Sequence, residues 1–474
     1  MADWLTLESA FSLGLLLVQL PATAVLLSRL FKGPSRQPPI EPGSPTPELL
    51  GSVSVVVPTL NEAERITPCL AGLSRQSYEV REITIVDSNS KDATPDLVKA
   101  AQQKDPRFRL MTDDPLPSGW VGRPWALHNG FLHSSQECEW FLGIDADTQP
   151  NPGLVAALVK SAQAGGYDLV SLSPQFILQY PGECWLQPAL LITLLYRFDP
   201  AGVNTKVAER VMANGQCFLC RRSVLTQLGG YTSARSSFCD DVTLARNIAA
   251  QGFKVGFLDG AKVLKVRMYE GALETWKEWG RSLDLKDASS SAQLWGDLWL
   301  LLAVQGLPLP ATLGLLSYQL SALTCVRAGL TSTFGGILDI SFNPPLHLLT
   351  CVRAGLTSTV GGILDISFNP PLHLLTCVRA GLVSTVGGIL DISFNPPLHL
   401  TTHSLALGLN LFLLAIRFAL LLVIAPSYDR TQAKGSWLFW LSPLADPLAV
   451  LRIFVSAFRT PTQWRGRSYR SQPS

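Results

Sequence analysis

The chain has 474 residues, with 38 Lys and Arg against 36 Asp and Glu, and 16% charged side chains beside 47% hydrophobic ones. So even a balance removes the electrostatic basis for a nucleic-acid partner. A mean hydropathy of +0.23 excludes a disordered chain and is too apolar for an ordinary soluble enzyme of this size.

Ser9 to Ser28 carries no charged side chain, a length that crosses the hydrocarbon core of a bilayer as a helix. Arg29, Lys32 and Arg36 follow it, which by the positive-inside rule keeps the downstream chain in the cytoplasm. A cleaved signal would place its basic residues before the apolar core instead. Residues 1–32 are therefore predicted to be a membrane anchor, and the Pro-, Gly- and Ser-rich residues 33–50 a linker.

From Val53 the pattern becomes short apolar runs separated by helix-length polar stretches. Val53–Val57, Glu82–Val86, Phe108–Met111 and Trp140–Ile144 are predicted strands. Such alternation implies an α/β domain with a mainly parallel sheet, over residues 51–290.

Charge then thins out: Ser291 to Pro426 holds four Arg, four Asp and no Lys or Glu. Membrane helices are predicted in 291–323, kinked by Pro308 and Pro310, and in 403–426, which carries only Arg417. Within 427–474, the apolar Trp437–Phe458 is broken by Pro443, Asp446 and Pro447. Arg459, Arg465, Arg467 and Arg470 follow it. If this piece spanned, those arginines would lie on the wrong face, so an interfacial hairpin with a basic tail is predicted.

Between the helices, residues 324–402 hold three nearly identical 26-residue units, 325–350, 351–376 and 377–402. Stacking as a solenoid is one reading. Solenoid repeats keep mainly core positions, however, whereas these keep almost everything, which favours duplication of a coding segment. His347, His373 and His399 are copies of one position, so their spacing is no independent evidence for a metal. Of the nine cysteines, Cys217 and Cys220 form a lone Cys-x-x-Cys without further zinc ligands and read as strand residues.

The chemistry concentrates at the ends of the predicted strands, where parallel sheets bind ligands. The first ends in Pro58-Thr59-Leu60-Asn61-Glu62, and Asn61 and Glu62 could equally cap the next helix. The second delivers Asp87, suited to a base N–H or a ribose hydroxyl. The fourth ends in Asp145-Ala146-Asp147, two carboxylates whose repulsion a hard cation shared with substrate phosphates would relieve.

These motifs, with Cys239-Asp240-Asp241-Val242-Thr243-Leu244 downstream, resemble the family 2 glycosyltransferases of GT-A fold over about residues 52–290. The resemblance implies a mainly parallel α/β sheet with helices on both faces, a nucleotide-sugar donor, Mg²⁺ or Mn²⁺ on its diphosphate, and inversion at the anomeric carbon. It implies Pro58, Asn61, Glu62, Asp87 and Asp145 at the donor, and Asp147 with Asp145 at the metal. Asp241 becomes the general base with Asp240 beside it, although Asp stands at 240 where the family carries Glu.

Gly119-Trp120-Val121-Gly122-Arg123-Pro124-Trp125 resembles a segment of members acting on carotenoids and hopanoids, with Arg123 to grip a phosphate and Trp120 or Trp125 to stack on a sugar. A turn leading into helix packing is the alternative. Arg281 is a further diphosphate contact, and the Gln-x-x-Arg-Trp motif of processive synthases is missing near it. Taken whole, the chain resembles cyanobacterial carotenoid glycosyltransferases that act on the 2′-hydroxyl of a myxol-type carotenoid, which implies a lipophilic hydroxylated acceptor and membrane lipid as partners.

Overall fold

The computed structural model describes residues 2–205, 207–279, 283, 285–334, 355–356, 381–382, 398–458, 463–464 and 467–468. It divides into two units, one of Met1–Thr23 with Leu307–Ala415, the other of Ala24–Gly306 with Ile416–Ser474.

The second unit holds a seven-stranded sheet. In chain order its strands are β1 (Val53–Thr59), β2 (Val80–Asp87), β3 (Phe108–Thr112), β4 (Trp140–Ile144), β6 (Leu169–Ser173), β8 (Cys217–Arg221) and β9 (Val255–Asp259). They lie in the order β3-β2-β1-β4-β8-β6-β9, and only β8 runs antiparallel to its neighbours. The four predicted strands are present, each at or beyond its expected limits. Their continuous apolar runs reflect burial on both faces. Val53, Val55 and Val57 face one hydrophobic cluster, and Val56 faces the other.

Helices α2 (Ile66–Ser74), α3 (Thr94–Lys104) and α5 (Leu154–Gly165) cover the first face. The opposite face packs on α4 (Gly122–His133), α7 (Arg222–Gln227) and α8 (Asp240–Ala250). Cys217 and Cys220 are strand residues of β8, free and buried on opposite faces, where burial pushes both thiols well up. This is the mainly parallel sheet with helices on both sides that the resemblance implies.

A second sheet of four short strands lies in the order β13-β7-β10-β5, formed by β5 (Thr148–Pro150), β7 (Gln175–Ile177), β10 (Leu264–Val266) and β13 (Tyr428–Asp429). Its β13 comes from the far end of the chain, and the Tyr428 ring lies 5.6 Å from that of Phe176. Helix α6 (Pro181–Arg197), the short α9 (Gly271–Glu274) and α10 (Ser291–Leu301) complete this part.

Among the described residues, three helical segments are long and apolar enough to cross a membrane: Ala10–Leu30 within α1 (Ala2–Leu30), Thr402–Ser427 around α12 (Leu398–Ile424), and Ser436–Ala457. Ser291–Gly306 and the Pro308–Ser321 part of α11 (Pro308–Phe334) pass the same test of length and composition only when taken together. In the first unit, Leu15 and Leu16 of α1 pack with Ala311, Leu315 and Ala406, and the buried amides of Gln19 and Asn410 exchange hydrogen bonds of 2.8 and 3.0 Å.

The segment for which a hairpin is predicted is helical from end to end: a 3-10 stretch, Ser436–Ala445, runs into α13 (Asp446–Ala457) with helical backbone angles at Ala445 and Asp446. Pro447 falls in the first turn of α13, where a missing N–H costs no intrahelical bond, so it does not reverse the chain. Most of the repeat, with His347 and His373, lies outside the described residues. Two of its equivalent pieces, β11 (Gly355–Leu356) and β12 (Gly381–Leu382), pair in parallel.

Candidate active site

Strands β2, β1 and β4 lie side by side and parallel, so their carboxyl ends share one edge. Thr59 pairs with Asp87, and Val56 with Gly143, which brings the turn at Asp145–Asp147 alongside the end of β1. Asp87 is thus two strand spacings, about 10 Å, from the line of β4. Its carboxylate accepts from Thr59 Oγ1 at 3.2 Å and from the Ser90 N–H at 3.0 Å.

Asn61 lies beyond Pro58, with the left-handed φ of 54° that Asn tolerates better than most residues. The capping role open to Asn61 is not realised, because α2 begins only at Ile66, after an N-cap Arg65 that makes no side-chain cap bond. Instead Asn61 staples two loops: its Oδ1 accepts from the Lys91 N–H at 2.8 Å, and its own N–H donates to Ser90 Oγ at 2.8 Å. Glu62 is buried.

The centre of the site is Arg123, near the start of α4. Its Nε donates to Asp145 Oδ1 at 3.0 Å, Nη1 pairs with Asp240 Oδ2, and Nη2 donates to the Gly215 carbonyl at 2.6 Å. The Gly215 N–H in turn donates to Asp241 Oδ2 at 2.6 Å. One guanidinium and one peptide unit thus join residues more than a hundred positions apart. Burial pushes Asp240 up to about 7, against the pull of Arg123. Arg123 itself is held above its usual range by Asp145 and Asp240 against the opposing effect of burial. Arg123, read from the sequence as a phosphate grip, is here a clasp between carboxylates.

A Cβ on Gly215 would fall 2.5 Å from Arg123 Nη2, so Gly215→Ala is expected to displace the guanidinium and lower the melting temperature, measured by calorimetry.

Asp147 differs from its neighbour. Its Oδ1 is buried and has no hydrogen-bond partner among the described residues. Burial, with the charge of Asp145 second, pushes it up to about 8, opposed by Arg65. Asp145 is also raised by burial and restrained by Arg123, which takes only its Oδ1. Among the described residues no group of three or more His, Cys, Asp or Glu is arranged to hold a metal. Two adjacent carboxylates, one with an orphaned oxygen, nevertheless suit a hard cation that takes its remaining ligands from phosphate and water.

Asp145, Asp147, Asp240 and Asp241 are thus gathered around Arg123, while Asp87, Pro58 and Asn61 occupy the same sheet edge further along. Arg281 lies outside the described residues. Trp120 and Trp125 pack edge-on to each other at 5.1 Å, and both against His128. The sequence reading missed Gly215 and Arg65. The Asn214-Gly215 pair before β8 was a turn signal for the first; nothing local marked Arg65.

The sheet is mainly parallel with an acidic rim at its strand ends, and residues 54–229 match the model of glycosyl transferase family 2. The chain is 25% identical over 248 residues to the 4,4'-diaponeurosporenoate glycosyltransferase of Staphylococcus haemolyticus, covering 52% of this chain and 64% of that protein. It is 25% identical over 242 residues to the probable glycosyltransferase YdaM of Bacillus subtilis, covering 49% and 53%. The chain therefore spans less than two thirds of these relatives. Among solved structures, a mannosyltransferase from Pyrobaculum calidifontis, in complex with GDP-Man and Mn²⁺, is similar with a TM-score of 0.45 and 20% identity, over 68% of this chain and 92% of that one.

Proposed function

We propose that the protein is a membrane-bound inverting glycosyltransferase that moves one sugar from a nucleotide-sugar donor to the hydroxyl of a lipophilic acceptor, the 2′-hydroxyl of a myxol-type carotenoid. The observation that carries this reading is the division of labour among four carboxylates. Asp240 is clamped by Arg123, whereas the half-buried Asp241 has one oxygen held by a backbone N–H and carries no ion pair among the described residues.

A hydroxyl is a poor nucleophile, so a carboxylate must accept its proton as the new bond forms. Asp241 does this while the acceptor oxygen bonds to the anomeric carbon and the bond to the diphosphate breaks, releasing the nucleoside diphosphate from the opposite side. Asp87 holds the nucleoside, with Pro58, Asn61 and Glu62 shaping that end of the pocket. Arg123 keeps Asp145 and Asp240 in place. Asp147 and Asp145 would hold a divalent cation, which when bound would supply charge neutralisation for a diphosphate leaving group.

The membrane setting is supported by the segment Ser436–Ala457, which exposes Trp437, Trp440, Leu444, Leu448 and Leu451 while burying Ser442, Asp446, Arg452 and Ser456. That inverted polarity suits a lipid-facing surface. The relative named for 4,4'-diaponeurosporenoate supports a carotenoid-type acceptor. The basic residues after the first apolar segment favour a cytoplasmic domain on a plasma or thylakoid membrane.

The test is to incubate membranes carrying the chain with labelled UDP- and GDP-sugars, Mn²⁺ and a hydroxylated carotenoid, and then to chromatograph the lipids. A labelled polar carotenoid is the expected product. Label on a hopanoid, diacylglycerol or polyprenyl phosphate would move the acceptor, and no transfer with no donor binding would leave a membrane scaffold built on the repeat. Asp147→Ala is expected to weaken Mn²⁺-dependent donor binding about 10- to 100-fold, the loss of a charge-assisted contact, read by calorimetry with and without chelator.

A further inference from the structure

Outside this site, the second unit holds a dense cluster of cations just beyond the first apolar helix. Arg29 lies 3.9 Å from Asp297, while Lys32 and Arg210 share Asp199 at 3.2 and 2.8 Å. Arg197 and Arg246 both approach the ring of Phe198, at 5.3 and 5.4 Å. Asp297 interacts with all four arginines. Five cations thus share Asp199 and Asp297, and Glu209 also acts on Arg246. The excess is positive.

The cluster also has unused donors. Arg29 Nε, Arg210 Nε and Arg246 Nη2 are buried without a hydrogen-bond partner among the described residues, and Arg246 is only 7% exposed. The other guanidinium donors of Arg246 are fixed by the Val211 and Ala288 carbonyls, and one of those of Arg29 by the Tyr196 and Arg197 carbonyls. Burial lowers Arg246 to about 10, a cost that a bound anion would offset. Buried donors are nearly always satisfied, and three orphans from three guanidiniums in one cluster suit a ligand with several oxygens. The Lys32 side keeps a way in, its side chain being 45% exposed.

The geometry points to a binding site for a lipid-borne phosphate, formed by Arg29, Lys32, Arg210 and Arg246. Its place at the end of the helix Ala10–Leu30 is where a bilayer carries its phosphates, and basic clusters beside membrane helices select anionic headgroups. The site holds the chain to a phosphate-bearing lipid and is separate from the acidic rim, which binds the sugar donor.

The full chain in detergent is examined by native mass spectrometry with phosphatidylglycerol, undecaprenyl phosphate, phosphatidylcholine or a neutral galactolipid, and with inorganic phosphate alone. Phosphatidylglycerol or undecaprenyl phosphate is expected to bind about tenfold or more tightly than the neutral lipid. Preference for the first identifies a membrane headgroup, and for the second a lipid-linked substrate. Lys32→Gln with Arg210→Gln is expected to abolish the preference while the melting temperature and Mn²⁺-dependent donor binding hold. Arg246→Gln is expected to act in the same direction, and its melting temperature separates loss of binding from misfolding. Equal binding of charged and neutral lipids, binding of inorganic phosphate alone, or an unchanged preference in the double variant would overturn the site. Donor binding reads the glycosyltransferase proposal separately.

Discussion

Changing Asp241 to Asn is expected to slow sugar transfer by about 10²- to 10⁴-fold, the usual contribution of a positioned general base. Donor binding should persist, because the Asn side-chain oxygen still accepts from the Gly215 N–H that holds Asp241 at 2.6 Å. Asp240 does not replace the lost base. It is buried and paired to Arg123, so taking a proton there would break the ion pair that fixes it. The measurement is transfer rate and donor affinity on the same preparation. Full transfer by the variant would remove the base assignment.

Replacing Arg123 has a different signature. Arg123→Gln leaves Asp145 and Asp240 without their shared cation, and breaking a buried pair from one side typically costs about 3–5 kcal/mol. The effect depends on pH. Burial raises Asp240 above the value it has in the unfolded chain even with Arg123 present, and more so without it. A carboxyl whose folded value is raised contributes stability that is present at low pH and lost as pH rises through the folded value. The melting temperature of Arg123→Gln should therefore fall further behind the parent at pH 8 than at pH 6. Arg123→Lys should recover only part of the gap, since an ammonium cannot reproduce three contacts made by one planar group. A variant that melts like the parent at both pH values would contradict the clasp.

Much of this was legible in the sequence because the carriers are local. Val53–Thr59, Val80–Asp87 and Trp140–Ile144 are apolar runs that each end in a polar motif, and the parallel arrangement puts those ends on one edge without reference to distant residues. The clasp was not legible. Arg123 and Asp240 lie 117 positions apart, and the residue that lets them meet is a glycine defined by what would collide with it. Asn61 was ambiguous for a related reason: its left-handed backbone and its bond to Lys91 arise from the neighbouring loop, not from the helix it precedes. The segment after Gly435 misled because Pro443, Asp446 and Pro447 resemble a break, yet Asp446 is buried against Arg417 at 2.7 Å and the helix continues through it.

That last pair bears on how a soluble form of the protein could be made. Arg417, Asp446 and Gln305 interlock through hydrogen bonds of 2.7 and 3.1 Å, and the strand at Tyr428–Asp429 completes a sheet begun near residue 148. Residues 416–458 are consequently structural members of the second unit, although they read in the sequence as membrane helix and hairpin. Trimming the chain after Gly306 would leave a raw strand edge and remove the carboxylate that Gln305 pairs with. A workable fragment would have to retain that terminal stretch and mask its lipid-facing tryptophans instead.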